Sequence, residues 1–213
     1  MKKKMLVVLG PQGAGNHLWS KIFALHPQVY GWRSLLENYW EPHRFCEPFA
    51  EYWRDPGLLK TFDWNQSDYY VTGISVPLGI PGSEENPLYR LDIRRFLQQL
   101  MSLDIAVQIA VIGRDQNILH KQQTRIRSEP TLPMFLEELE NLRPIASFLS
   151  YELLHLYRSS YLRSLDLIIP IAHDNPKINE ILEQDANAKY IKYVEENPLD
   201  AGNHYGHIFK QKP

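Results

Sequence analysis

The chain has 213 residues, is 44% hydrophobic and 23% charged, and carries a net charge of −2, a balance suited to one soluble domain of 213 residues with a sizeable core. A charge this close to neutral argues against a dedicated nucleic-acid surface, which usually needs a strong basic excess. The single cysteine, Cys46, can form no internal disulfide and points to a reducing, cytoplasmic setting.

Lys2, Lys3 and Lys4 precede an apolar run in the manner of a signal peptide, but the run stops at Gly10, too short for such a segment, and no apolar stretch of membrane length follows. Residues 5–9, MLVVL, are the pattern of a strand buried on both faces of a parallel sheet. Gly10, Gly13 and Gly15 come next. From Leu18 the apolar residues Leu18, Trp19, Ile22, Phe23 and Leu25 recur at helical spacing until Pro27. Strand, glycine turn and helix make an anion cradle, because successive backbone N–H groups converge and the helix adds its unpaired donors and the positive end of its dipole. Gly10 and Gly15 keep the G-x-x-x-x-G half of a P-loop. Asn16 and His17 stand where Lys and Ser or Thr normally follow, so both the phosphate-binding cation and the Mg²⁺ ligand are missing and ATP or GTP hydrolysis is disfavoured.

Residues 30–64 are rich in aromatics and broken by Pro42, Pro48 and Pro56, which reads as short helices and loops over the mouth of a site, with most rings serving as packing. Residues 69–76, YYVTGISV, predict a second strand, followed by a loop with Gly79, Pro81 and Gly82. A helix over 91–103 with Asp92 at its start leads to a third buried strand at 105–112, then to Gly113, Arg114 and Asp115 and a helix over 117–127. Ligands of open α/β sheets bind at the carboxyl ends of strands, so Arg114 points to the same rim as the glycine loop. Lys121, Arg125 and Arg127 read as a solvated helix face. A short helix at 134–142 follows the breaks at Pro130 and Pro133, and residues 145–152 predict a fourth strand leading into a helix, in preference to one continuous helix over 145–165. A short extended piece at 167–172 and a helix at 179–184 precede the run 190–194 and the tail. His204 and His207 lack a partner cluster for metal binding.

The loop and helix GPQGAGNHLWSKIFALHP resemble the 5′-phosphosulfate loop of the sulfotransferases, in which G-x-P-R-S-G-T-T-L leads into a helix that ends in His-Pro. Gly10, Gly15, Leu18, His26 and Pro27 match in register. Gln12, Gly13, Ala14, Asn16 and His17 replace the Pro, Arg, Ser and two Thr. Around Arg114 the sequence resembles the R-D-P-R context whose Arg binds the donor's 3′-phosphate, with Gln122 in place of the Ser eight positions on. An amide can donate to a phosphate oxygen. Tyr151 and Glu152 resemble the family's Y-E-D-L stretch, whose Tyr lies near the adenine. Gly202, Gly206 and Phe209 resemble its C-terminal closing loop only in outline.

The resemblance implies a three-layer α/β/α sandwich with a central parallel sheet of the P-loop NTPase-like type, formed by residues 1–213 as a single domain. It also implies sulfuryl transfer from 3′-phosphoadenosine 5′-phosphosulfate (PAPS) to a hydroxyl of a small molecule or glycan. Gln12, Gly13, Ala14, Gly15, Asn16 and His17 would hold the phosphosulfate, Arg114 and Gln122 the 3′-phosphate, and Tyr151 the base. The family's carboxylate base falls by counting on Arg33, and its strand-end His on the Ile74 to Pro77 stretch, where Ser75 is too weak a base. Glu37, Glu41 and His43 are the nearest groups able to take a proton, and the sequence does not choose among them. Two alternatives stay open: a divergent P-loop kinase, for which Lys21 lies more than a helical turn too far on, and a non-catalytic binding or assembly module on the same fold.

Overall fold

A computed structural model describes residues 2–79, 88–89, 91–127, 130–140, 142 and 147–185. In chain order the elements are β1 (Lys4–Pro11), α1 (Asn16–Ala24), β2 (Val29–Tyr30), α2 (His43–Cys46), α3 (Ala50–Arg54), β3 (Tyr69–Val76), β4 (Leu78–Gly79), β5 (Leu88–Tyr89), α4 (Ile93–Ser102), β6 (Ala106–Gly113), α5 (Gln116–Arg127), α6 (Leu132–Glu140), β7 (Ser147–Ser150), α7 (Tyr151–Ser164) and α8 (Lys177–Gln184). Short 3-10 helices lie at Arg33–Leu36 and Pro56–Thr61.

Five strands form one parallel sheet in the order β2, β3, β1, β6, β7. The apolar run of β1 places it at the centre, where both faces are covered. Leu6 and Val8 pack with Leu18, Trp19, Ile22 and Phe23 of α1 and with residues of α7 and α8. Met5, Val7 and Leu9 point the other way and pack with Trp53 of α3, Phe96 and Leu100 of α4 and Phe135 of α6. The rings of Trp53 and Phe96 stack with centroids 3.7 Å apart. This is an α/β architecture with helices on both faces of an all-parallel sheet, as the buried, unalternating strands require. β1 pairs with β3 up to Pro11↔Val76 and with β6 up to Leu9↔Val111, so the loops that leave β1 and β6 emerge side by side at the carboxyl edge.

The strands at 69–76 and 105–112 form as expected, the latter one residue later at each end. Asp92 caps α4 by accepting from the Arg95 N–H at 2.9 Å. Residues 147–164 are a strand and then a helix, because the Ser150 side chain caps α7 by accepting from the Leu153 N–H at 3.1 Å. α6 starts at Leu132, so Pro133 lies in its first turn, where a missing N–H breaks no helical bond. The extended piece expected at 167–172 forms no strand. Its chain is instead tied to β6 through Gln108, which donates to the Asp166 carbonyl at 3.0 Å and accepts from the Ile168 N–H at 2.6 Å. β2 adds a fifth strand that two residues could not announce. Pro81 and Gly82, the 190–194 run and the tail with Gly202, His204, Gly206, His207 and Phe209 lie outside the described residues. Among the described residues no helix is long and apolar enough to cross a membrane.

β2 covers β3 only at Tyr69 and Tyr70. Beyond that point α2 and the loop that follows it lie against β3. Most aromatics of residues 30–64 are packing: Phe49, Phe62 and Trp64 surround Tyr70, whose hydroxyl donates to the Trp64 carbonyl at 2.6 Å. Tyr39, Trp40 and Phe45 are exposed. The chain turns from β2 into this segment at Gly31, where an added Cβ would lie 2.4 Å from Val71 Cγ1. Val71 is β-branched and stiff, so Gly31→Ala should destabilise the protein by about 1–3 kcal/mol in urea unfolding. The Gly31→Ala/Val71→Ala double variant should be more stable than the sum of the single effects. Additivity would show that the close approach does not matter.

Candidate functional site

The β1–α1 loop is shaped by two left-handed residues, Gly13 with φ 84° and Gly15 with φ 105°. Only glycine takes these angles without strain. The Ala14 N–H closes the turn by donating to the Pro11 carbonyl at 3.1 Å. The N–H groups of Gly13, Gly15, Asn16 and His17 have no acceptor among the described residues, no side chain caps α1, and its first turn carries no acidic residue. The positive end of α1 is therefore uncompensated, and four donors converge beside it.

The end of β6 brings the cation. Arg114 Nη1 donates both to the Gly13 carbonyl and, at 2.7 Å, to Gln122 Oε1. The guanidinium carbon lies 4.6 Å from the centre of the Tyr151 ring, and a Cβ on residue 15 would meet that ring at 2.7 Å. Gly13, Gly15, Arg114 and Gln122 thus form one rim, with the Tyr151 ring buried in the core beneath it at 2% exposure. Gln122 offers its oxygen to Arg114 and so orients the guanidinium. Asp115 is engaged elsewhere, capping α5 by accepting from the Asn117 and Ile118 N–H groups at 3.0 and 2.9 Å. His155, one helical turn beyond Tyr151, joins the rim with its ring 4.7 Å from the tyrosine. Its i, i+4 spacing from Tyr151 was the available signal.

The other loop side chains face inward. Asn16 Nδ2 donates to the Pro11 carbonyl at 3.2 Å and to Ser75 Oγ at 2.9 Å, so this amide nitrogen ties α1 to the ends of β1 and β3. Gln12 Nε2 donates to the Pro77 carbonyl at 2.8 Å, and the Gln12 carbonyl accepts from Gln123 Nε2 at 2.6 Å. Ala14 is fully buried. From this loop the donors open to a ligand are backbone groups. Lys21 Nζ donates to the Tyr39 carbonyl at 3.1 Å and serves the aromatic segment. Among the described residues no group of three or more His, Cys, Asp or Glu could hold a metal ion.

The candidate bases lie on the β3 side of the loop. Glu37 is exposed just past the first 3-10 turn. The Glu41 carboxylate accepts from Ser34 Oγ and Trp32 Nε1, both at 2.6 Å, and from Asn38 Nδ2 at 2.8 Å. Burial pushes its pKa up, but these three donors outweigh it and hold the group below the ordinary value, which makes Glu41 a weak base and a strong local anchor. His43 is held at about 3 by burial and by neighbouring His17, against an upward pull from the Gly73 backbone, so it stays neutral. His17 Nε2 lies 2.7 Å from the Glu41 carbonyl, which can only accept, so Nε2 carries the proton. Its ring centre is 4.4 Å from His43, 5.1 Å from Trp32 and 6.0 Å from Trp40. Burial holds His17 below the ordinary imidazole value. The Glu41 carbonyl opposes this, the Lys21 charge adds to it, and the Glu41 carboxylate opposes it again.

Glu47 gave no sign of its role in the sequence. It is 3% exposed and accepts from Thr72 Oγ1 at 2.8 Å and from the Phe49 N–H at 2.7 Å, while Trp53 Nε1 donates to Thr72 Oγ1 at 2.8 Å. Burial raises its pKa to about 8, although Thr72, Phe49 and Gly73 pull downward. At pH 7 it is a neutral acid joining α2 and α3 to β3. A pKa raised by folding adds stability at low pH that is lost as pH rises from the ordinary carboxylate range through about 8. His43, with its lowered pKa, loses stability as pH falls from 6.5 towards 3. Glu47→Gln should therefore shift stability by a constant offset and remove the alkaline decline seen in urea unfolding at pH 5, 7 and 9, while the acid limb stays. An unchanged alkaline slope would place the titration elsewhere. The chain matches no family model and no curated protein.

Proposed function

We propose that the rim formed by the β1–α1 loop and the end of β6 binds a phosphorylated nucleotide, and that the protein uses it for sulfuryl transfer from PAPS to a hydroxyl acceptor on a divergent P-loop-type fold. One observation carries the reading: four unpaired loop N–H groups and the Arg114 guanidinium meet at the same edge of the sheet, beside the crevice between β1 and β6. The amides of Gly13, Gly15, Asn16 and His17 would hold the 5′-phosphosulfate. Arg114 makes its described hydrogen bonds through Nη1 alone, which leaves Nη2 for the 3′-phosphate, and the half-buried His155, beside the buried Tyr151 ring, would face the adenine. The engagement of Lys21 with Tyr39 argues against the kinase alternative, because it commits that ammonium to the aromatic segment. The inward-turned Asn16 favours a second reading, nucleotide binding without turnover.

Adenosine 3′,5′-bisphosphate at about a hundredfold excess over its Kd should raise Tm by roughly 5–10 °C, and ATP with Mg²⁺ should not. Arg114→Ala should abolish the response and Arg114→Lys should weaken it, since the planar fork is lost. An unchanged shift in Arg114→Ala, or stabilisation by ATP and Mg²⁺ alone, would refute the reading. Binding without transfer of labelled sulfate would select the second one.

A further inference from the structure

The geometry around the first turn of α1 leads further, resting on the sulfuryl-transfer reading. We propose that His17 takes the proton from the acceptor hydroxyl. Its tautomer is set by the Glu41 carbonyl: with the proton on Nε2, the lone pair is on Nδ1, and no described group donates to it. Nδ1 is bonded to the ring carbon that joins Cβ, so it stays close to the first turn of α1, where the loop amides converge, while Nε2 reaches outward to residue 41. The exposed Trp40 ring lies nearly parallel to the His17 ring and offers a flat surface beside it. An acceptor whose hydroxyl sits on a flat apolar skeleton, aromatic or pyranose, fits this arrangement.

A bond forms from the acceptor oxygen to sulfur. The bond from sulfur to the 5′-phosphate oxygen breaks, with its electron pair leaving on adenosine 3′,5′-bisphosphate. The acceptor's proton goes to Nδ1 and then to solvent. The charged and titratable groups facing His17 are Lys21 on its own helix and Glu41 and His43 on the segment across from it. His43 is unsuited to the role, because its Nε2 is buried and its pKa is held at about 3, so it takes up no proton near neutral pH.

The decisive variant is His17→Gln, whose amide N–H₂ can replace Nε2 in donating to the Glu41 carbonyl but whose side chain cannot accept a proton. Transfer from labelled PAPS is measured with 2-naphthol and with methyl β-galactoside as acceptors, alongside calorimetric binding of adenosine 3′,5′-bisphosphate. His17→Gln should bind the bisphosphate within about threefold of wild type and lose at least about 100-fold in kcat. The acid limb of the wild-type kcat profile should vanish, and added imidazole should restore part of the rate to His17→Ala. A His17→Gln rate within threefold of wild type, or an unshifted acid limb, would overturn the assignment while bisphosphate binding leaves the nucleotide site standing. A wild-type protein that binds the bisphosphate yet transfers to neither acceptor would remove the transfer reading and this role with it.

Discussion

The left-handed backbone at Gly13 and Gly15 is the constraint from which the rest follows. It turns the chain from the central strand into α1 sharply enough to leave four amides of the loop and first turn without acceptors among the described residues, and it brings the Gly15 backbone against the Tyr151 ring. Unpaired N–H groups at a helix start are tolerated where water or an anion can reach them. Arg114 completes this electrostatic pattern from the opposite side of the β1–β6 crevice, held by one loop carbonyl and one glutamine oxygen. The inward hydrogen bonds of Gln12 and Asn16 brace the loop from behind.

On the other flank, the segment that leaves β2 is fastened by polar contacts buried in an aromatic setting. His17 reaches the Glu41 carbonyl, Lys21 the Tyr39 carbonyl, and Thr72 joins Glu47 to Trp53. His43 and Glu47 are both neutral at pH 7, for the same reason with opposite sign: burial lowers an imidazole's pKa and raises a carboxyl's. This flank thus avoids the cost of an isolated buried charge, although the buried His43 Nε2 has no partner among the described residues.

The sequence made β1, α1, β3 and β6 readable because each is a long apolar run with one period, and it placed Arg114 at the rim because ligands gather at the carboxyl ends of parallel strands. It could not show β2, whose two residues are shorter than any periodic signal. Nor could it show that Asn16 turns inward, since its partners are a carbonyl on β1 and a hydroxyl on β3 that meet only in the folded chain. Glu47 lay hidden for a similar reason: a glutamate in a proline-broken stretch reads as solvated, and only its meeting with Thr72, 25 positions later, makes it a core residue. The tautomer of His17 depends on a backbone oxygen, which no residue type announces.

The short reach of β2 has a consequence for any movement over the site. Past Tyr70 the outer side of β3 has no strand beside it among the described residues and is sheltered by α2 and the loop that follows. The segment beside the glycine loop therefore also shelters this margin of the sheet. Displacing it would bare main-chain donors and acceptors of β3 to other chains, whereas the outward rings Tyr39 and Trp40 can shift without uncovering the strand.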